Sequence, residues 1–174
     1  MLAVLRSRPG GVDLSVALGD MSVANAPGGP YRLVYLVYNT IGNLVTQDDQ
    51  VRCFGNAARH LTGDGVFVLE TGTGWGWTKG RQNYVDAEQV GKDHVVLDVN
   101  RFDPATQILE ENHVHIGSTG IRSGPIVQRI APPGELNLMA RLAGFRLIDR
   151  FGWWDRRAFD ADCASHISVY GRGT

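Results

Sequence analysis

Two apolar, β-rich runs separated by one helical pattern constrain this chain more than any other feature. Leu33-Val34-Tyr35-Leu36-Val37-Tyr38 is continuously apolar, as in a parallel strand covered on both faces. Thr46 then offers a hydroxyl N-cap, with Asp49 three residues on as its capping-box partner. Val51, Phe54, Ala58 and Leu61 fall on one face of the helix that follows. Gly63-Asp64-Gly65 turns the chain, and Val66-Phe67-Val68-Leu69-Glu70 reads as a second buried strand. A crossover through one helix makes the two strands parallel, with a right-handed connection. Open α/β sheets bind ligands outside the carboxyl ends of such strands, which here means the region beginning at Tyr38.

The flanking segments extend this frame. Met1 to Arg8 reads as the last turns of a helix, stopped by Pro9-Gly10-Gly11. Val12, Leu14, Val16 and Leu18 alternate, which predicts a strand ending at Gly19-Asp20. From Thr71 onward the chain is first glycine-rich and then shows short alternating stretches at Val95–Val99, Ile108–Ile116 and Ile126–Ile130. Asp103-Pro104-Ala105-Thr106 reads as a hairpin turn between two of them. An antiparallel β insertion over residues 71–131 follows, inside a single domain over residues 1–174. Pro132-Pro133-Gly134 opens another helix with Leu136, Met139, Ala140 and Ala143 inward and Gly144 as its stop. Phe145, Leu147 and Phe151 alternate in a strand, and His166 to Tyr170 forms the last one, an antiparallel hairpin closing the sheet edge.

Composition removes several function classes. The formal net charge is −1, and no stripe of Lys/Arg with interleaved aromatics occurs, so a nucleic-acid partner is not expected. No apolar run reaches the roughly 18 to 20 residues of a membrane helix, so no membrane partner is expected either. Cys53 and Cys163 stand far apart with no metal-ligand spacing, and a cytoplasmic location is the default expectation.

Three segments in order resemble class I S-adenosylmethionine-dependent methyltransferases. They are Gly19-Asp20-Met21 after an alternating run, Tyr31 to Leu44 followed by a helix with Asp49-Gln50, and Ala57 to Glu70. The ending from Glu135-Leu136 through Ala143-Gly144-Phe145 is similar to that family's helix–strand join. The resemblance spans nearly the whole chain, with Gly63-Asp64-Gly65 standing where the family usually has Pro-Gly-Gly. It implies a partial Rossmann-like α/β sheet, strands three to seven of the family, with the antiparallel β insertion after strand five. It also implies that the family's glycine-rich cofactor loop lies upstream of Met1, so a truncated chain is the expectation.

The resemblance implies S-adenosyl-L-methionine as cofactor and a small-molecule methyl acceptor. Asp20 is expected to accept from the adenine amine and the Met21 backbone N–H to donate to a ring nitrogen. Tyr38, Asn39 and Thr40 are expected beside the methionine part and the reactive methyl. Each position also has a plain structural reading: Asp20 as a turn former and Asn39 as a residue bonding its own turn. No catalytic base is nominated, and His113, His115 and Tyr38 are the candidates to test. Truncation leaves two rival readings, an inactive remnant or a non-catalytic binding partner. An open sheet edge would favour a homo-oligomer.

The remaining features read as structural. Thr71-Gly72-Thr73-Gly74-Trp75-Gly76 lacks the glycine spacing and following helix of a phosphate loop, and reads as a flexible loop. Trp75 and Trp77 have substrate-pocket lining as their alternative. His113 and His115 share one strand face and form a possible metal pair near Glu111, but a solvated polar face is preferred and no metal is assigned. A β-rich metal or ligand binder centred on residues 90–130 is the last rival. Asp98, Arg101 and Asp103 read as surface residues at a hairpin. Trp153-Trp154 reads as packing on the sheet edge, with a pocket wall as the alternative, and Asp48-Asp49 as helix-start electrostatics.

Overall fold

The computed structural model describes residues 2–173; the helix start expected at Met1 and the domain limits at residues 1 and 174 lie outside the described residues. The first element is a short helix, α1 (Leu2–Arg6). Next comes the predicted strand–helix–strand unit: β1 (Tyr31–Leu36), α2 (Gln47–His60) and β2 (Leu61–Gly72). The Thr46 hydroxyl accepts from Asp49 N at 3.1 Å, which satisfies a free N–H at the helix start as the capping pattern requires. β1 and β2 pair in parallel, Val34 opposite Phe67 and Leu36 opposite Leu69.

Two details differ from the sequence pattern. β2 begins directly at Leu61, so Gly63-Asp64-Gly65 lies inside a strand whose register shifts between Tyr31 and Leu33, and is not a separate turn. β1 is covered on one face only: Val34 and Leu36 pack on the core, while Leu33 and Tyr35 are exposed. A continuous apolar run therefore did not mean burial on both sides.

Residues 12–18 form no strand; they run irregularly, with Val12, Leu14 and Leu18 exposed. A strand needs a neighbour to take its backbone bonds, and no strand among the described residues lies beside this segment. The Arg6 guanidinium instead donates to the carbonyls of Gly11, Val12 and Leu14 at 2.6 to 2.9 Å.

The predicted helix after Pro132 is α4 (Pro133–Leu142), with Leu136, Met139 and Ala140 buried. Gly144 follows at φ +79°, a left-handed stop that a side chain resists. It leads into β7 (Phe145–Phe151) and then β8 (Ser165–Arg172). The sheet order is β1-β2-β8-β7, with β8 antiparallel to both neighbours. The terminal hairpin is therefore real, and β8 enters between β2 and β7.

Between β2 and α4 stand a short helix, α3 (Gly74–Thr78), and four antiparallel strands. These are β3 (Asn83–Val90), β4 (His94–Asp103), β5 (Ile108–Gly117) and β6 (Gly120–Arg129), a meander in a sheet of its own. The Asp103 turn is as expected: its carboxylate accepts from Ala105 N and Thr106 Oγ1, each at 2.9 Å. The segment read as a flexible glycine loop is in part α3, capped by the Thr73 hydroxyl, which accepts from Gly76 N at 3.2 Å. Its glycines serve close approach: a Cβ on Gly72 would lie 2.1 Å from the Trp77 ring, and one on Gly76 2.4 Å from Ala164 Cα.

The core lies between the first sheet and helices α2 and α4. Phe54 meets Phe67 edge-on with ring centroids 5.1 Å apart, and meets Tyr170 at 5.6 Å. All three are fully buried. No buried member of this core comes from residues 83–129. The second sheet is fastened by a polar network instead. Arg129, at the end of β6, pairs with Glu135 of α4 at 2.6 Å and donates to Gln50 Oε1 of α2 at 2.7 Å. Gln50 Nε2 in turn donates to the carbonyls of Ile41, Leu44 and Arg129. No described helix is long and apolar enough to cross a membrane.

Candidate functional site

Where β1 ends, the chain leaves the sheet through two consecutive left-handed residues, Tyr38 at φ 56° and Asn39 at φ 58°. Left-handed backbone is costly for residues with a Cβ, and such conformations cluster at functional sites. Asn39 offsets part of that cost: its Oδ1 accepts from Gly72 N at 2.7 Å, tying the tips of β1 and β2 together. Thr40 Oγ1 donates to Val37 O at 2.6 Å and starts a 3-10 turn (Thr40–Asn43). The Tyr38 ring is 84% exposed.

These strand tips form one wall of a chamber of about 670 Å³. Tyr38, Asn39, Thr40, Glu70 and Trp77 line that side, with Trp153 and Lys79 at its margin. The facing wall is the second sheet. Tyr84 and Asp86 of β3, Asp98 and Asn100 of β4, Glu111 and His113 of β5, and Gln128 of β6 line it. The register explains the grouping. His113 sits opposite Asp98, Glu111 opposite Asn100, and Asn100 opposite Tyr84, so alternate residues of three strands face the same space.

Asp98 and His113 are thus not the exposed hairpin and solvated-face residues that the sequence pattern favoured. His113 Nδ1 lies 2.7 Å from Asp98 Oδ1 and 3.2 Å from Glu88 Oε2; its Nε2 lies 3.8 Å from Glu111 Oε1. Burial pulls the imidazole pKa down, but Asp98, Glu111 and Glu88 outweigh burial and raise it above the ordinary histidine value. Burial also raises the carboxyl pKa of Asp98 and of Glu111, against the opposing pull of His113. Donor atoms of Glu88, Asp98 and His113 lie within 4.8 Å of one another, close enough to hold a metal ion. His115 points along the same face but lies with His94 at a separate depression near the β4–β5 end.

Of the tryptophans, Trp77 and Trp153 line the chamber, the pocket-wall alternative for both. Trp75 Nε1 donates to Ala161 O, and Trp154 Nε1 donates to the buried Glu70 carboxylate at 3.1 Å. The residues missed by sequence reasoning are Glu70, Tyr84, Asp86 and Asn100. Tyr84 and Asp86 belong to a run of polar residues at every second position of β3, which reads as solvent-facing when no second wall is known.

Asp20 and Met21 sit apart from that chamber. Asp20 Oδ1 accepts from Ser22 N at 2.8 Å, and that bond holds the carboxyl below its usual pKa, so it is an anionic acceptor at neutral pH. Asn56 Nδ2 donates to the Met21 and Ala24 carbonyls, each at 2.9 Å, and fixes the loop on α2. Gly19 and Met21 line a second, mostly apolar cavity of about 300 Å³ with Val34, Leu36 and Cys53. The structure therefore places Tyr38, Asn39 and Thr40 together at the chamber and Met21 at the second cavity, while Asp20 lines neither.

The sequence matches no family model and no curated protein. Solved structures do match. The CcbJ methyltransferase from Streptomyces caelestis is 30% identical, with a TM-score of 0.91 over 99% of this chain and 69% of that one. An S-adenosylmethionine-dependent methyltransferase from Clostridium acetobutylicum is 12% identical, with a TM-score of 0.79 over 91% of this chain and 64% of its own. CalS10, a SAM-bound amino pentose methyltransferase from Micromonospora echinaspora, is 21% identical, with a TM-score of 0.63 over 89% of this chain and 63% of its own. This chain thus spans about two thirds of each of them. The last two show the shared fold. With the CcbJ likeness in both sequence and structure, the chain belongs to the class I S-adenosylmethionine-dependent methyltransferases.

Proposed function

We propose that the chain transfers a methyl group from S-adenosylmethionine to a small-molecule acceptor held in the chamber between the two sheets. The observation that carries this reading is the position of the chamber. It opens at the carboxyl ends of β1 and β2, where α/β sheets present ligands, and a second sheet closes it. Its size matches pockets that enclose one small molecule. CcbJ, CalS10 and the sugar N-methyltransferase KedS8 are methyltransferases on the same framework, and the last two act on sugars.

The residues present fit the cofactor. Tyr38, Asn39 and Thr40 would hold its methionine part. Asp20, an anionic acceptor, would take the exocyclic adenine amine, and the Met21 N–H would donate to a ring nitrogen beside it. When bound, S-adenosylmethionine supplies an activated methyl on a sulfonium with an excellent leaving group. What the chain does is align and desolvate. The Asn39–Gly72 bond fixes the strand tips, while Trp77, Trp153 and Tyr84 exclude water from the reacting atoms.

Isothermal titration of the chain with S-adenosylmethionine and S-adenosylhomocysteine tests the reading. Binding, with tritium transferred from labelled cofactor into small-molecule acceptors, is the expected result. No heat at millimolar cofactor refutes it.

A further inference from the structure

The two faces of the second sheet differ in character, and the apolar one points outward. The register fixes which residues share the face turned away from the chamber. Val85 stands beside Val99, Leu97 beside Val114, and Ile116 beside Ile121. A half-covered sheet ordinarily turns its polar residues to water and its apolar ones to the core. Here Asp86, Asp98, Glu111 and His113 face inward, and the Val, Leu and Ile side chains face out. Val85 is 57% exposed, Val99 38% and Ile121 71%. Among the described elements, the sheet packs closely outside itself on the 3-10 turn Thr40–Asn43 alone. That contact runs through Gln128, which lies on the chamber side.

Size and charge decide what covers this face. Four strands about 4.8 Å apart, rising about 3.4 Å per residue, present about 500 Å² over the stretch of β4 from His94 to Arg101. A patch of that size is at the upper end for a monomer. Two such faces in contact bury about 1,000 Å², the lower bound of a specific interface. The face is also neutral. Its charged residues, Arg101 and Glu110, pair with each other at 3.4 Å at one end. Its polar residues Ser123 and Asn112 bond each other at 2.7 Å. An identical face therefore meets no net repulsion and leaves no charge unpaired. β-branched side chains on two such surfaces interdigitate with the sheets about 10 Å apart.

We propose that the outer face of the second sheet is a dimer interface, on which the same face of a second copy packs across a two-fold axis. A two-fold contact uses one patch twice, so the patch must be compatible with itself. The open edge of the first sheet is the poorer surface. β1 is six residues long and carries the exposed Arg32–Asp64 pair beside it, and short charged edges resist strand addition. The chamber wall is the other face of the same strands, so the second copy backs that wall and leaves the chamber open. The inference depends on the fold and not on the reaction.

Sedimentation equilibrium of the full chain from about 1 to 100 μM tests it. The expected result is a monomer–dimer equilibrium with a micromolar Kd, as suits an interface at the small end of the range. Val99→Lys puts a charge on the inner strand β4 of the face and should weaken association at least about hundredfold. Val99 is already exposed in one copy, so far-UV circular dichroism should keep the wild-type signal. Leu33→Lys, on the exposed side of β1, should leave the dimer unchanged. A mixture of ¹³C-labelled and unlabelled chain gives a readout that needs no variant. Filtered NOEs between copies should connect the methyls of Leu97, Val99 and Val114. Three results overturn the proposal: a chain that stays monomeric at the highest concentration, a dimer that Leu33→Lys dissolves and Val99→Lys spares, or NOEs between copies from residues off this face.

Discussion

Arg129→Met isolates the device that fastens the second sheet to the core. Arg129 is buried, its side chain 7% exposed, and it pairs with a Glu135 side chain that is 14% exposed. Removing one partner of a buried pair strands the other charge, at about 3–5 kcal/mol. Glu135 keeps two amide donors, Gln47 at 2.6 Å and Gln107 at 3.0 Å, so the lower end, about 3 kcal/mol, applies. Gln50 Oε1 loses its guanidinium donor, which adds about 1 kcal/mol. Methionine keeps the apolar stem filled, so no large cavity term follows. The sum of about 4 kcal/mol corresponds to a fall in melting temperature of about 8–16 °C for a chain of this size. Urea denaturation followed by circular dichroism measures it. Glu135→Gln on top of Arg129→Met removes the stranded charge and should restore about half the loss. Acid adds a second check. Burial raises the Glu135 pKa, but the bonds from Arg129, Gln47 and Gln107 outweigh burial and hold it below 4.5. A lowered folded-state pKa gives stability that is present above 4.5 and lost as pH falls through the folded value. The acid-side loss should therefore be smaller in Arg129→Met. A loss under about 1 kcal/mol, or one undiminished in the double variant, would show that burial of this pair does not fasten the sheet.

Phe54→Ala removes a ring that meets both Phe67 and Tyr170, and should cost about 3–5 kcal/mol by denaturation, with the three-ring cluster left around a cavity. Gly144→Ala forces a Cβ into left-handed backbone at φ +79°, and calorimetry should show a loss of about 1–2 kcal/mol. Asn39→Ala breaks the tie between the strand tips; titration should show S-adenosylhomocysteine affinity falling about tenfold, while denaturation shows a loss of only about 1 kcal/mol.

What the sequence made legible was whatever depends on neighbours along the chain. The Thr46 cap, the α2 face, the Asp103 turn and the Gly144 stop each rest on residues within a few positions of one another. Residues 12–18 show the limit of that logic: alternation marks a willingness to be a strand, and pairing decides the matter. The chamber wall was hidden for a different reason. Along β3 the inward positions are Tyr84 and Asp86, with Glu88 brought beside His113 where the register shifts between Ala87 and Gln89. Polar residues facing inward invert the usual pattern of a half-buried strand. His113 and Asp98 are fifteen positions apart in sequence and become partners only through the β4–β5 register.

The division between core and network bears on how the site works. The apolar core draws its buried members from outside residues 83–129, so the chamber face of the second sheet, Leu109 and Ile126 apart, is free of packing duty. Its side chains can be polar, charged and partly unpaired, and those are the properties an acceptor wall needs. The first sheet cannot share that freedom. Tyr38 and Asn39 stand just beyond β1, whose inward residues Val34 and Leu36 pack on the core, and their position is fixed by backbone conformation and by the Gly72 bond. One wall is thus set by packing and the other by a few charged contacts around Arg129. A rigid strand-tip wall suits the part of the reaction that every substrate shares. The polar sheet, held at one end by Arg129, suits the part in which acceptors differ.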